Sequence, residues 1–408
     1  MGVATAPSGR SGSESDRTGP GRAHWLRVAR ETADDLATDA VAREQAGKAP
    51  FDEVSRLREA GLLTLLIPAA LGGGGADWPT AYAAVRTIAA ADGAIAQLLS
   101  CHYLLSWSVR FFTEPAHTAE IEQKSAAEQW CWGGGYAHRP LTLTRTAGGY
   151  ALDGRQSHAT GVLVADRLAV RAVRADTGES LAVLVDPSRH GVGIHGDADT
   201  FGQRLAAGGS LEFDGVPVAA DDVLGSLTVD EAVLSPLAAL TSPLGRLLSV
   251  QLRLGMAEGV LAEAREYRGA GPSPWHPDHP AGSPQDPQVL TAYGELTVLT
   301  RAASALADQA REAVHGGLVR GEDLTYDEYA EISVLVAMAE AASSKAAQES
   351  TARALDIIGA RSASSRLGFD RFWRNARTHA LYEPVAHQLR DVGDYYLNGA
   401  HPAFTLPV

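Results

Sequence analysis

The chain has 408 residues, enough to bury a large core and, by size, to divide into two or three domains. Its 35 basic and 49 acidic residues leave a formal net charge of −14, which repels nucleic acid and anionic membrane surfaces and makes small molecules or proteins the expected partners. No run approaches the roughly 20 apolar residues of a membrane span. The two cysteines, Cys101 and Cys131, offer neither a disulfide framework nor metal-ligand spacing, so a reduced cytoplasm is expected and no metal is.

Residues 1–24 are rich in Gly, Ser, Arg and Pro and lack the apolar core of a secretory signal, which predicts a disordered tail. Residues 25–129 read as an N-terminal helical domain: Phe51, Val54 and Leu57 form an apolar stripe while Asp52, Glu53, Arg56 and Arg58 stay polar. The run Gly72 to Gly75 has no Lys or Ser/Thr to complete a phosphate loop and reads as a turn between helices.

From about Trp130 the apolar period changes to two. Residues 130–233 are expected to form a small β-sandwich or barrel, with strands at Tyr150–Gly154, Arg167–Val173, Leu181–Val185 and Gly209–Val218, the last turning at Asp214-Gly215. Residues 234–408 return to helical spacing. Leu247, Val250, Leu254, Ala257 and Leu261 share a face, and Ala-rich segments around 297–314 and 329–358 predict long antiparallel helices. Six prolines between Pro272 and Pro287 force a long loop, on which His276, Asp278 and His279 read as solvated rather than metal-bound.

Several strings resemble the acyl-CoA dehydrogenase family from about residue 25 onward. Phe51 to Val54, Gly61-Leu62-Leu63 and Ile67-Pro68 are similar to its first helices and the turn after them. Gly154-Arg155 through Thr160-Gly161 resembles the strand and loop lining its flavin, and Phe201 to Arg204 with Gly208 to Val218 resembles later strands. The implied fold is α+β: an N-terminal helical domain, a central β-barrel or sandwich, and a C-terminal four-helix bundle. Gly359-Ala360-Arg361, Gly368 to His379, Gly393 and Leu397-Asn398-Gly399 resemble the flavin-dependent monooxygenase branch typified by dibenzothiophene monooxygenase. Pro274-Trp275, Asp286-Pro287 and Tyr293-Gly294-Glu295 add to that likeness.

The resemblance implies an enzyme that takes reduced FMN from a separate flavin reductase, adds molecular oxygen at flavin C4a, and oxidises a small organic substrate at a heteroatom or carbon. It implies Thr160 as a hydroxyl facing the flavin, with Ala159 and Gly161 letting the backbone approach the ring. The flavin phosphate calls for arginine, so Arg371 and Arg374, with Arg377 a turn on, are cofactor candidates, although the same spacing describes a solvated helix face. His379 is the best placed imidazole for proton handling and could face Glu383 one turn on. Tyr103 and Trp275 are candidate substrate contacts.

The sequence also departs from this branch. Tyr382-Glu383-Pro384 stands where the monooxygenases carry His-Asp-Pro, and it resembles the Tyr-Glu-Gly of the dehydrogenases, whose Glu is the catalytic base. That supports a second reading, an acyl-CoA dehydrogenase with FAD and Glu383 as base. Gly134 replaces an Asn near the flavin, Ser273 an Arg, and Ala198 a pocket Trp, with Arg268 as a substitute cation for the missing one. These changes support a third reading, a non-catalytic member with a degenerate flavin site. A homotetramer is expected by the same resemblance.

Overall fold

The computed structural model describes residues 19–136, 139–196, 199–228, 230, 234–268, 287–382 and 384–405. Residues 1–18, Ala198, Glu383 and the Pro-rich segment through residue 286 lie outside these, as do the roles expected of Ser273, Trp275, His276, Asp278 and His279. Arg268 is described only as the last backbone position of its helix.

Helix α1 (Arg22–Ala46) buries Trp25, Ala29, Ala33, Leu36 and Ala40 at helical spacing along one stripe. Helix α2 (Phe51–Glu59) buries Val54 and Leu57 but leaves Phe51 61% exposed, so the expected three-membered stripe has two members. Three-residue steps advance about 300° around a helix, which places the first and third members about 120° apart.

The glycine run is a turn, as expected. The amides of Gly74 and Gly75 donate to Thr64 O and Ile67 O, both at 2.8 Å, so they are committed to their own chain. Asp77 and Asp92 cap α3 (Trp78–Ala91) and α4 (Gly93–Phe112), and α5 (Pro115–Glu128) follows.

The middle of the chain forms one mixed sheet of β1 (Trp132–Gly135), β2 (Leu141–Thr146), β3 (Gly149–Ala159), β4 (Arg167–Arg174), β5 (Ser180–Val185), β6 (Val192–Gly196), β7 (Gly209–Val218) and β8 (Val223–Ser226). The order is β6-β7-β3-β2-β4-β5-β8, with β1 running parallel beside β4. One core contains Leu143, Leu152, Leu168, Val170, Val183, Leu211 and Phe213. A second sets Trp130, Trp132, Tyr136 and Leu184 against Leu105, Val109 and Ile121 of α4 and α5.

Two expectations change here. Asp214-Gly215 is not a hairpin turn, because β7 runs through it. The pairing with β3 shifts register between Leu152 and Gly154, Gly215 takes φ +57°, and its amide donates to Asp153 Oδ1 at 2.7 Å. The pair forms a β-bulge, which uses the same left-handed glycine that a hairpin would. Phe201 to Arg204 is not a strand either, but part of the loop between β6 and β7.

After α6 (Pro236–Ala239), helix α7 (Thr241–Arg268) is buried on most sides up to its last two turns: Leu247, Val250, Leu254, Ala257 and Leu261 are joined by Leu244, Leu248, Leu252 and Met256. A Cβ on Gly259 would meet Ala90 O at 2.1 Å, so that glycine lets α7 press against α3. Helices α8 (Pro287–Arg320) and α9 (Tyr326–Ile358) complete the bundle with α10 (Asp370–Tyr382) and α11 (Ala386–Asn398). No helix among the described residues is long and apolar enough to cross a membrane.

Candidate functional site

The strings that pointed to a flavin meet at the junction of sheet and bundle. Gly134 and Thr160 form an isolated antiparallel bridge, the Gly134 amide donating to Thr160 O at 2.8 Å and the Thr160 amide to Gly134 O at 3.2 Å. Gly134 has φ +120°, and a Cβ there would sit 2.2 Å from Ala169 O. Backbone crowding therefore requires glycine at this position whatever relatives carry. A Cβ on Gly133 would sit 2.8 Å from Gly161 O, so the small residues here serve the contact between β1 and the chain after β3. Ala159 is buried in the sheet core, and Gly161 takes φ +75°. Thr160 is half-buried, and its hydroxyl makes no hydrogen bond among the described residues.

The Cys101 Sγ lies 3.9 Å from Thr160 O. Burial pushes the Cys101 and Cys131 thiols up to about 12, so both stay neutral.

Helix α10 closes the junction. The loop after β6 binds it through Asn375: Gln203 N donates to Asn375 Oδ1 at 2.6 Å, and Gln203 Nε2 to Asn375 O at 3.2 Å. The same loop receives Gly161 N on Ala206 O at 3.0 Å, tying the helix to the end of β3. A second register shift, between Gln156 and Ala159, leaves His158 at φ +61° and turns its ring to within 6.1 Å of the Tyr382 ring. Tyr382, 56% exposed, thereby meets the end of β3 two residues before Thr160. His379, one turn back on α10, is 4% exposed and accepts at Nδ1 from Arg253 Nε of α7 at 3.3 Å.

Other expected site residues are committed elsewhere. Arg371 is buried, pairs with Glu263, donates to Gly368 O at 2.9 Å and lies over the Phe372 ring. Arg374 pairs with Glu44 at 2.5 Å and Asp370 at 2.9 Å and donates to Phe201 O. Both guanidinium groups lock α10 to its neighbours. Arg377 reaches Gln348 Oε1 at 2.9 Å, on the bundle side. Tyr103 is a core residue, 1% exposed and donating to Leu62 O at 2.9 Å.

Sequence reasoning did not single out His102, His158, Asn375 or Arg253. Asn375 and His158 lay inside recognised strings, whereas His102 and Arg253 did not. His102 is a structural neutral imidazole: Trp132 N donates to its Nδ1 at 3.1 Å, so its hydrogen sits on Nε2, which donates to Leu63 O at 2.6 Å.

The residue types at the junction are compatible with a flavin ring, with the Thr160 hydroxyl unbonded among the described residues and Tyr382 exposed, while Phe201 and Trp373, 6.1 Å apart, lie toward the start of α10. The phosphate has no guanidinium waiting for it at Arg371 or Arg374.

Comparisons agree with this geometry. The family model for the acyl-CoA dehydrogenase N-terminal domain matches residues 24–127, and that for the acyl-CoA dehydrogenase C-terminal domain matches residues 247–386. The chain is 34% identical to dibenzothiophene monooxygenase of Rhodococcus qingshengii over 391 residues, spanning 92% of this chain and 94% of that one. It is 34% identical to the probable FMNH2-dependent monooxygenase SfnC of Pseudomonas putida, spanning 93% and 96%. Its fold is similar to that of TdsC from Paenibacillus sp. A11-2 in complex with FMN and indole, with a TM-score of 0.89, 35% identity and coverage of 93% and 99%.

Proposed function

Since the chain belongs to the acyl-CoA dehydrogenase family and is one of its flavin-dependent monooxygenases, using FMN, we propose that it oxygenates a small, uncharged heteroaromatic compound with reduced FMN delivered by a separate flavin reductase. Reduced FMN, when bound, supplies the electrons that activate molecular oxygen, one atom entering the substrate and the other leaving as water.

The protein's part is to hold the ring, supply hydrogen bonds and keep water away. Thr160 offers its hydroxyl at the end of β3, Tyr382 a phenol at the end of α10, and His379 an imidazole one turn behind it. The observation that carries the reading is the contact of the last turn of α10 with the end of β3, where the Tyr382 ring lies 6.1 Å from that of His158, two residues before Thr160. The exposed Tyr382 ring beside that of His158 suits a flat apolar substrate better than an anionic one.

The test is to mix the protein with FMN, NADH, a flavin reductase and isotopically labelled oxygen, with dibenzothiophene and indole as probes. One labelled atom in the product is expected. Oxygen recovered only as hydrogen peroxide with both probes would refute the substrate class.

The proposal extends to a homotetramer. Helix α11 has no buried residue, exposes Leu389, Tyr396 and Leu397, and borders an apolar groove of about 640 Å³ lined by Leu306, Met338, Val385 and Val392. Light scattering is expected to give four times the chain mass, and a monomer would overturn this part.

A further inference from the structure

We infer that Arg253, deep in the bundle, is a positioning residue that fixes His379 as the Nε2–H tautomer. The inference rests on the proposed reading of His379 as the imidazole of the site.

Arg253 lies on α7 and is 1% exposed, although helix interiors seldom bury a guanidinium. Its Nε approaches His379 Nδ1 at 3.3 Å. An arginine nitrogen can only donate, so Nδ1 must carry a lone pair. A ring protonated at Nδ1, whether as the other tautomer or as imidazolium, has none to offer. The remaining ring hydrogen is therefore on Nε2, and whatever His379 gives at the site it gives as a donor from that nitrogen. The contact also fixes ring orientation, because the guanidinium nitrogen and its acceptor must stay aligned.

Nothing around the pair is loose enough to blur this assignment. Phe372 and Ala376, on the same helix, are buried in the main core, as are Leu252, Leu254 and Met256 beside Arg253. Asn375, one turn back on the same face, is held by Gln203, so α10 cannot rotate His379 away without breaking the 2.6 Å bond from Gln203 N. Arg371 and Arg374 clamp the start of the same helix through Glu263, Glu44 and Asp370. Arg253 thus constrains the chemical state of His379 through Nδ1, while these residues set its place.

The experiment reads the tautomer directly. Two-bond proton–nitrogen spectra of the nitrogen-labelled full chain, with and without FMN, are compared with those of His379→Gln to assign the signals. A bare Nδ1 and a protonated Nε2 are expected at neutral pH, and an Nδ1–H or doubly protonated ring in the unmodified protein overturns the inference. In Arg253→Met the ring is expected to lose its single state, and product per oxygen consumed is expected to fall by about tenfold or more with little change in KM. Arg253→Lys, which keeps a donor, is expected to restore part of both. A variant tautomer identical to the parent's also overturns the inference, and the parent spectrum decides the matter if the variants do not fold. If His379→Ala leaves oxygen coupling intact while the tautomer is as stated, the reading of the site fails and Arg253 still acts as described. If coupling collapses but the tautomer is wrong, only the role of Arg253 fails.

Discussion

His102 provides a prediction whose size follows from the structure. Its ring is fully buried, and both nitrogens are used in the neutral state, Nε2 donating to Leu63 O at 2.6 Å and Nδ1 accepting from Trp132 N at 3.1 Å. Burial is the main cause that lowers its pKa from 6.5 to about 4, opposed in part by the bond to Leu63. Between these two values the unfolded chain carries a proton on this residue that the folded chain does not. Stability from His102 is therefore complete above pH 6.5, declines as pH falls from 6.5 toward 4, and is constant below about 4. The gap corresponds to about 3 kcal/mol at roughly 1.4 kcal/mol per unit. His102→Gln keeps a donor and an acceptor and does not titrate, so the difference between parent and variant isolates this residue from the other histidines and carboxylates. Urea unfolding midpoints at half-unit steps from pH 4 to 7 are expected to show the parent's advantage over the variant shrinking by about 3 kcal/mol as pH falls. A difference that does not change with pH would refute the neutral, doubly bonded assignment.

Three further outcomes are expected. Thr160→Ala and His379→Ala should each lower product formed per oxygen consumed more than they lower the thermal midpoint, and equal losses in both would mark the residues as structural. Arg43 is nearly buried among Asp39, Glu53 and Asp92, so Arg43→Met should cost about 3–5 kcal/mol in urea unfolding by leaving carboxylates buried without their cation. Gly134→Asn, which introduces the residue expected from relatives, should cost about 2–4 kcal/mol because φ is +120° and its Cβ would strike Ala169 O, and a variant as stable as the parent would show that β1 yields easily.

Much of the fold was legible because period is a local property. The change of apolar spacing from helical to alternating near Trp130 needs no knowledge of partners, and β1 begins at Trp132. Errors came where one local signal serves two geometries. Asp214-Gly215 marks a left-handed glycine, which a bulge and a hairpin both use, and the choice depends on β3 continuing to pair with β7 past it. Phe51 shared a three-residue spacing with Val54 and Leu57, but such steps drift around the helix, and Phe51 ended outside the core.

The site was harder to read because its assignments depend on residues far away in the chain. Arg371 and Arg374 looked like phosphate ligands because guanidinium groups suit phosphate, yet Glu263 and Glu44 reach them first, and nothing near residue 371 announces either. The converse holds for His379. Its position in a recognised string marked it as chemically useful, but its protonation state is imposed by Arg253, a residue that on sequence alone belongs to the interior of an amphipathic helix. Tyr382 sits between these cases: the string that contains it resembles both branches of the family, and the structure gives it a place through His158, which a β-bulge turns toward α10. A motif thus locates the helix that carries the chemistry, whereas the state of each group on it is written in the helices and strands that helix is packed against.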